Sequence, residues 1–240
     1  MEAADIRATD TVLEIGPGRG ALTQELLAAG ARVIAVEKDL ALVEMLKETL
    51  AKEILSGQLQ LIQDDIRNFD PRSCQLEARS YVVAANIPYY ITGEIIRQFL
   101  TARAQPHTVA LLVQKEVAER IIARDKKESI LSLSVKCYGE PSIAAKVSRG
   151  NFSPPPSVDS AILVIKNISR EFFTDTDEKK FFDIVRAGFS SKRKFLIGNI
   201  AKKFGRERAE SAFAAFRLPE NARAEDVLLQ KWKCLVQSLD

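Results

Sequence analysis

The chain has one histidine in 240 residues, and that scarcity removes whole classes of chemistry. His107 falls in Pro106-His107-Thr108, a turn ahead of an apolar run, where a solvated side chain is expected. Neither a Ser/His/Asp triad nor a multi-histidine metal site can be built from it, so the reaction must work without imidazole and no metal site is expected. The three cysteines, Cys74, Cys137 and Cys234, are odd in number, far apart and without metal-ligand spacing; they read as reduced thiols with at most a structural role. No stretch approaches the roughly 20 apolar residues that cross a bilayer. The acidic start Met1-Glu2-Ala3-Ala4-Asp5 lacks the layout of a signal peptide. A cytoplasmic protein without membrane contact is expected.

What is present is an ordinary globular composition, 46% hydrophobic and 28% charged, which excludes disordered and collagen-like chains. The length allows one large domain or one domain with a small appendage. The net charge of +3 hides a division. Residues 1–169 hold 20 Lys/Arg against 21 Asp/Glu, or −1, whereas residues 170–240 hold 15 against 11, or +4. Arg186, Lys192, Arg193, Lys194, Lys202, Lys203, Arg206 and Arg208 face only Glu207, an excess of +7 over 23 residues. A polyanionic partner is expected for this part.

Apolar runs of strand length alternate with segments of helical period: 12–15 then 21–29, 32–36 then 40–51, 59–62, 81–85 then 93–101, and 108–113 then 115–123. Such βα alternation predicts a mostly parallel sheet. A helix at 129–138 precedes two candidate strands, 142–147 and 159–165, which predict an antiparallel pair at one edge. From Asp177 onward only helices are expected, at 178–189, 193–203, 206–215 and 224–238, with a break at Leu218-Pro219-Glu220-Asn221. The linker Asn167-Ile168-Ser169-Arg170 divides the chain into domains 1–170 and 171–240, the second too small to be very stable undocked.

Two motifs carry chemistry. Asn86-Ile87-Pro88-Tyr89 follows the run Tyr81-Val82-Val83-Ala84-Ala85. The Asn86 side-chain carbonyl and the Ile87 backbone carbonyl, held ahead of Pro88, are two acceptors that can converge on one –NH2, and Tyr89 offers a face for a planar base. Methyl transfer to adenine N6 is the chemistry implied; a mere loop turn is the bland reading. Upstream, Val12-Leu13-Glu14-Ile15-Gly16-Pro17-Gly18-Arg19-Gly20 is a strand running into a glycine turn and a helix, where backbone can approach a ligand closely. Its alignment to a G-x-G-x-x-A dinucleotide fingerprint keeps a nicotinamide cofactor open, although Asn86 to Tyr89 have no role in hydride transfer. Glu37 ends the second strand, where a carboxylate can accept both hydroxyls of a ribose. Asp65, after the third strand, can accept from an adenine amino group, and Lys38 and Ile66 flank these two acids. Together with Gly16, Gly18 and Asn86 they form a candidate S-adenosyl-L-methionine site along the strand ends.

With these residues the chain resembles the rRNA adenine N6,N6-dimethyltransferase family, from about Ala8 to the end. The marks are Glu14-Ile15-Gly16-Pro17-Gly18, Glu37, Gln63-Asp64-Asp65, Asn86-Ile87-Pro88-Tyr89, Gln114-Lys115-Glu116-Val117, Phe152-Ser153-Pro154-Pro155-Pro156-Ser157-Val158-Asp159-Ser160 and Arg193-Lys194. The resemblance implies a Rossmann-like S-adenosylmethionine-dependent methyltransferase sheet with a small C-terminal all-helical domain. It implies cofactor contacts at Gly16, Glu37, Asp65 and Asn86, with Tyr89 and Phe152 flanking the target adenine. It further implies dimethylation of two adjacent adenines in small-subunit ribosomal RNA within an immature particle. A basic helix around Ser190-Ser191-Lys192-Arg193-Lys194, with Lys202 and Lys203, is expected to hold RNA phosphates. Family members usually carry a Gln-Asn-Phe-Leu-like motif ahead of the first strand; this chain begins about eleven residues before Val12 without it, so either the sequence is cut short at its start or this member lacks that cover of the cofactor, with weaker cofactor binding expected. A macrolide-resistance type large-subunit rRNA methylase, a non-catalytic assembly factor and, further off, a DNA adenine methylase stay open beside this reading. A monomer is expected.

Overall fold

The structure is a computed structural model that describes residues 4–239. The chain divides into two compact units, one made of the residues up to 118 with 139–169, the other of 119–138 with the residues from 170 on.

The first unit is built on a seven-stranded sheet in the order β3-β2-β1-β4-β5-β7-β6. Its strands are β1 (Thr11–Ile15), β2 (Arg32–Glu37), β3 (Leu59–Gln63), β4 (Tyr81–Ala85), β5 (Thr108–Gln114), β6 (Glu140–Val147) and β7 (Ser160–Lys166). β1 to β5 run parallel, and β7 inserts antiparallel between β5 and β6. Burial explains the order. β1, β2 and β4 are apolar almost throughout and buried on both faces, as central parallel strands covered by helices must be. β6, largely exposed, stands at an edge.

The helices are α1 (Ala21–Ala28), α2 (Leu40–Thr49), α3 (Ala51–Leu55) and α4 (Thr92–Thr101), followed by α5 (Lys115–Ile122), which ends in the second unit. The helix expected over 40–51 is thus two, interrupted at Leu50. Leu26, Leu46 and Leu50 pack with Val12, Val33, Leu59 and Val82 in one core. Gly20 begins α1 at φ +84°, and a Cβ there would lie 2.8 Å from Leu46 Cδ2, so close packing and positive φ both require glycine. His107 is half-buried, its Nδ1 2.9 Å from Thr108 Oγ1, not a solvated turn residue. Continuation into β5 draws it against the sheet.

The second unit contains α6 (Ile130–Lys136), α7 (Glu178–Gly188), α8 (Leu196–Phe204), α9 (Arg206–Ala215) and α10 (Leu229–Leu239). Phe181 of α7 sits among Phe172, Phe173 and Phe182, with ring centroids 5.2 to 5.8 Å away. Buried Trp232 stacks on Phe189 at 5.7 Å. A Cβ on Gly188 would come within 2.4 Å of Trp232, so only glycine lets α7 end there.

Three local readings change. The helix expected from 193 starts at Leu196, because the buried Asn199 side chain donates to Gly188 O at 2.7 Å and Ser191 O at 3.1 Å and holds 190–195 as a turn. The helix expected over 224–238 is a 3-10 turn, Ala224–Asp226, and then α10. Residues 119–138, assigned by sequence to the first domain, gather with the later helices. Lys127 pairs with Glu225 and Asp226, Glu128 N–H donates to Glu225 O, and Tyr138 Oη donates to Glu178 at 2.5 Å. Those partners lie 40 to 99 residues away in the chain, beyond any local pattern.

Cys74, Cys137 and Cys234 are free thiols, and burial pushes the pKa of Cys137 up. Among the described residues no helix is long and apolar enough to cross a membrane.

Candidate active site

The sheet order reverses between β1 and β4, and the crevice beyond the carboxyl ends of strands at such a point is where open α/β sheets take ligands. The glycine loop leaves β1 there. Gly16 and Gly18 have φ of +62° and +60°, and a Cβ on either would meet nothing within 4 Å; their backbone faces open space. Gly16 N–H donates to Val36 O at 2.9 Å, tying the loop to β2. Glu37, 8% exposed, accepts from the backbone N–H groups of Gly18, Lys38 and Asp39 at 3.1, 2.8 and 2.9 Å. The strand-end acid is therefore oriented before any ligand arrives.

Asp65 lies beyond β3. Its carboxylate accepts a fork from Arg67 (Nε at 3.0 Å, Nη2 at 2.6 Å), the Arg67 backbone N–H, and Lys38 Nζ at 3.0 Å. Arg67, and Lys38 after it, hold this carboxyl well below the usual carboxylate range. Gln98 of α4 donates to Ile66 O at 2.7 Å and fastens the turn that carries both. Beyond β4, Asn86 is exposed, and its side chain has no hydrogen bond among the described residues; nor does the carbonyl of buried Ile87. Pro88 leads into a 3-10 turn, Tyr89–Ile91. The half-buried Tyr89 ring is anchored by a 2.6 Å hydrogen bond between Oη and Ser160 Oγ at the start of β7. Phe152 sits in the loop between β6 and β7. That loop is pinned by Asp159, which accepts from Arg149 N–H at 3.1 Å and, through its carbonyl, from Lys115 N–H at 3.0 Å just after β5.

The residues singled out from sequence in the first unit thus share one sheet edge: Gly16, Gly18, Glu37, Lys38, Asp65, Ile66 and Asn86 to Tyr89 at consecutive strand ends, with Phe152 on the loop entering β7. One neighbour had no assigned role. Glu14 is 2% exposed on β1, its Oε2 has no hydrogen-bond partner within bonding geometry among the described residues, and burial pushes its pKa up to about 7, opposed by the nearby Thr23 hydroxyl and aided by Glu37's charge. Arg67, Gln98 and Ser160 were also missed. A signal for Arg67 was present, since Asp65-Ile66-Arg67 has the spacing of Asp70-Pro71-Arg72, which makes the same fork on the surface.

These features fit S-adenosylmethionine. The open glycine backbone admits a close approach, Glu37 keeps acceptor capacity for hydroxyls, and the Asn86 side chain holds an acceptor that nothing among the described residues satisfies.

In the second unit, Lys192, Arg193 and Lys194 are exposed in the turn before α8, not on a helix, and Lys202 and Lys203 close the last turn of α8. Much of the basic excess is internally spent. Arg186 pairs with Asp183, Arg206 with Glu210, and Lys203 donates to Asp183 O. Lys192, Arg193, Lys194 and Lys202 have no ion pair among the described residues.

The fold and this sheet edge define a Rossmann-like methyltransferase. Among solved structures the chain is similar to the 23S rRNA methyltransferase ErmE, with a TM-score of 0.79 and 26% identity over 100% of this chain and 94% of that one. It has the same fold as a dimethyladenosine transferase from Plasmodium falciparum, with a TM-score of 0.80 and 24% identity over 98% and 91%. The family model for ribosomal RNA adenine dimethylase matches residues 1–240. The chain belongs to that family of S-adenosylmethionine-dependent rRNA adenine methyltransferases. Its relatives include the ribosomal RNA small subunit methyltransferase A of Dehalococcoides mccartyi strain CBDB1, 39% identical over 98% of this chain and 80% of that protein. That of Moorella thermoacetica is 36% identical over 99% and 85%.

Proposed function

We propose that this protein methylates N6 of two adjacent adenines in small-subunit ribosomal RNA, giving N6,N6-dimethyladenosine within an immature particle, as a cytoplasmic monomer. The observation that carries the reading is the pair of unengaged acceptors, Asn86 Oδ1 and Ile87 O, beside a Tyr89 ring already fixed by Ser160. Identity of 36 to 39% with small-subunit enzymes against 26% with the large-subunit enzyme supports the choice of substrate.

S-adenosylmethionine supplies an electrophilic methyl group on a sulfonium, so no general base is needed to activate the amine. Gly16 and Gly18 would hold it through backbone, Glu37 would take the ribose hydroxyls, and Asp65, whose carboxylate is engaged here by Arg67 and Lys38, would take the adenine amino group. Asn86 Oδ1 and Ile87 O accept the two N6 hydrogens. That geometry turns the nitrogen lone pair out of conjugation with the ring and meets the positive charge as it develops. The proton then lost from nitrogen passes to solvent. Tyr89 and Phe152 stack on the splayed base, each worth about 1–3 kcal/mol. The first unit serves catalysis, and the second holds RNA through Lys192, Arg193, Lys194 and Lys202, which have no ion pair among the described residues.

The test is incubation with methyl-labelled S-adenosylmethionine and under-methylated small subunits, followed by nucleoside analysis. N6,N6-dimethyladenosine is expected. Particle binding without label in the RNA would replace this reading with a non-catalytic assembly factor.

A further inference from the structure

The second unit contains a cavity of about 820 Å³ that the reaction does not use, within the roughly 300–1,000 Å³ typical of small-ligand sites. Its wall combines three kinds of group. Phe189 and Ile130 offer aromatic and aliphatic surface. Arg120 and Lys192, both exposed, are cations with no ion pair among the described residues, whereas Arg124 is paired with Glu119, and Lys127 with Asp226 and Glu225. Glu128, 6% exposed, accepts from Lys136 Nζ at 2.6 Å through Oε1, and its Oε2 has no hydrogen-bond partner among the described residues. A buried carboxylate oxygen with no donor costs about 1–3 kcal/mol; Oε2 is closed to water, so a ligand's N–H meets it when the Glu128 side chain turns toward the cavity it lines.

We propose that this cavity takes one unstacked guanine nucleotide of the RNA substrate. The inference rests on the rRNA reading above and adds a second recognition point to it. Free cations at the rim suit a phosphate. Phe189 suits a base face, as aromatic side chains do in single-stranded RNA recognition. Of the four bases, guanine alone carries two adjacent edge donors, N1–H and N2–H, that can meet a carboxylate. Adenine and cytosine place an acceptor beside their amino group, and uracil flanks its single N–H with carbonyls. An acidic protein segment satisfies the rim but is repelled by Glu128.

Trp232, the chain's only tryptophan, reports on the site because it stacks on Phe189. The experiment titrates the full chain with guanosine 5′-monophosphate and with adenosine 5′-monophosphate. Tryptophan emission is followed with excitation at the red edge, where nucleotides are transparent. Saturable quenching by the guanine nucleotide is expected, with the adenine nucleotide about tenfold weaker. Arg120→Ala should weaken the guanine nucleotide about tenfold and leave S-adenosylhomocysteine binding unchanged. Glu128→Gln, which keeps an oxygen for Lys136, should erase the preference for guanine. No quenching, equal response to both nucleotides, or identical responses from wild type and both variants would overturn the assignment. Methyl transfer to under-methylated subunits is measured in parallel, where Arg120→Ala should raise KM at unchanged kcat. If wild type methylates RNA yet Trp232 ignores guanine nucleotide, the cavity assignment falls and the reaction stands. If the nucleotide binds and no methyl is transferred, the reaction reading falls instead.

Discussion

The sheet edge of the first unit and the basic turn of the second represent opposite ways of preparing for a ligand. At the sheet edge Glu37 is oriented in advance by three backbone N–H groups, while Asp65 is engaged by Arg67 and Lys38, which compete for its carboxylate. The Asn86 side chain and Ile87 O at the reacting end have no hydrogen bond among the described residues. At the basic turn Lys192, Arg193 and Lys194 are exposed and have no ion pair among the described residues, and the buried Asn199 side chain shapes the backbone beneath them. On the proposed function, the difference follows from what each would recognise. A small cofactor is discriminated by placed acceptors, where preorganisation removes an entropic cost of binding. A polyphosphate is held by charge that releases counterions, where orientation matters little.

The sharpest way to break this comparison is at the open acceptor. Asn86→Ala should lower methyl transfer by about 10³-fold, the scale of a lost preorganised electrostatic contact, while S-adenosylhomocysteine affinity changes only a few fold. Unchanged turnover would remove Asn86 from the chemistry. Next, the double change Arg193→Glu and Lys194→Glu should weaken binding to small subunits about 100-fold at moderate salt and flatten its salt dependence. Cofactor affinity should not move. Parallel loss of both affinities, with a lowered melting temperature, would mean that the turn supports the fold and not the RNA.

A third expectation concerns pH. Glu14 keeps its proton to about 7 in the folded chain against 4.5 ordinarily, so between those values the folded state binds a proton that the unfolded state does not. Its contribution to stability is complete below pH 4.5 and is lost as pH rises to 7, a decline of about 3 kcal/mol at most. Urea denaturation from pH 5 to 8 should show that slope in wild type and lose it in Glu14→Gln. An identical slope in the variant would assign the effect to other groups. The smallest effect is expected at Arg67. Because its fork occupies the Asp65 carboxylate, Arg67→Ala should tighten S-adenosylhomocysteine by about two- to fivefold, read by calorimetry. Weaker binding would make Arg67 a contributor to the pocket and not a competitor for Asp65.

Legibility differed between these regions for a physical reason. Strand-end residues could be read because the pattern of apolar strand followed by turn is local. Gly16 and Asn86 follow, and Glu37 ends, runs that are buried almost throughout, whereas Asp65 follows the partly buried, alternating strand Leu59–Gln63. The bond from Tyr89 to Ser160 spans 71 residues, and Gln98 reaches back 32 to Ile66. Neither has a local signature. In the helical part the amphipathic period located α7 and α9 well. The lysines of 192–194 were drawn into a helix because nothing in their spacing reveals that Asn199 reaches back to the carbonyl end of α7.

By itself the sequence determined the alternation of strands and helices, the turns at the strand ends, the position of Asn86 to Tyr89 after β4 and the concentration of positive charge after residue 185. Each of these resides in neighbours along the chain, where backbone sterics and hydrophobic period act. Tertiary structure decided which strands are central, that 119–138 joins the later helices, and, among the described residues, which cations have no ion pair and which buried oxygens, on Glu14 and Glu128, have no hydrogen-bond partner. Those outcomes depend on desolvation and on partners brought together from distant positions, and they exist only once the chain has folded.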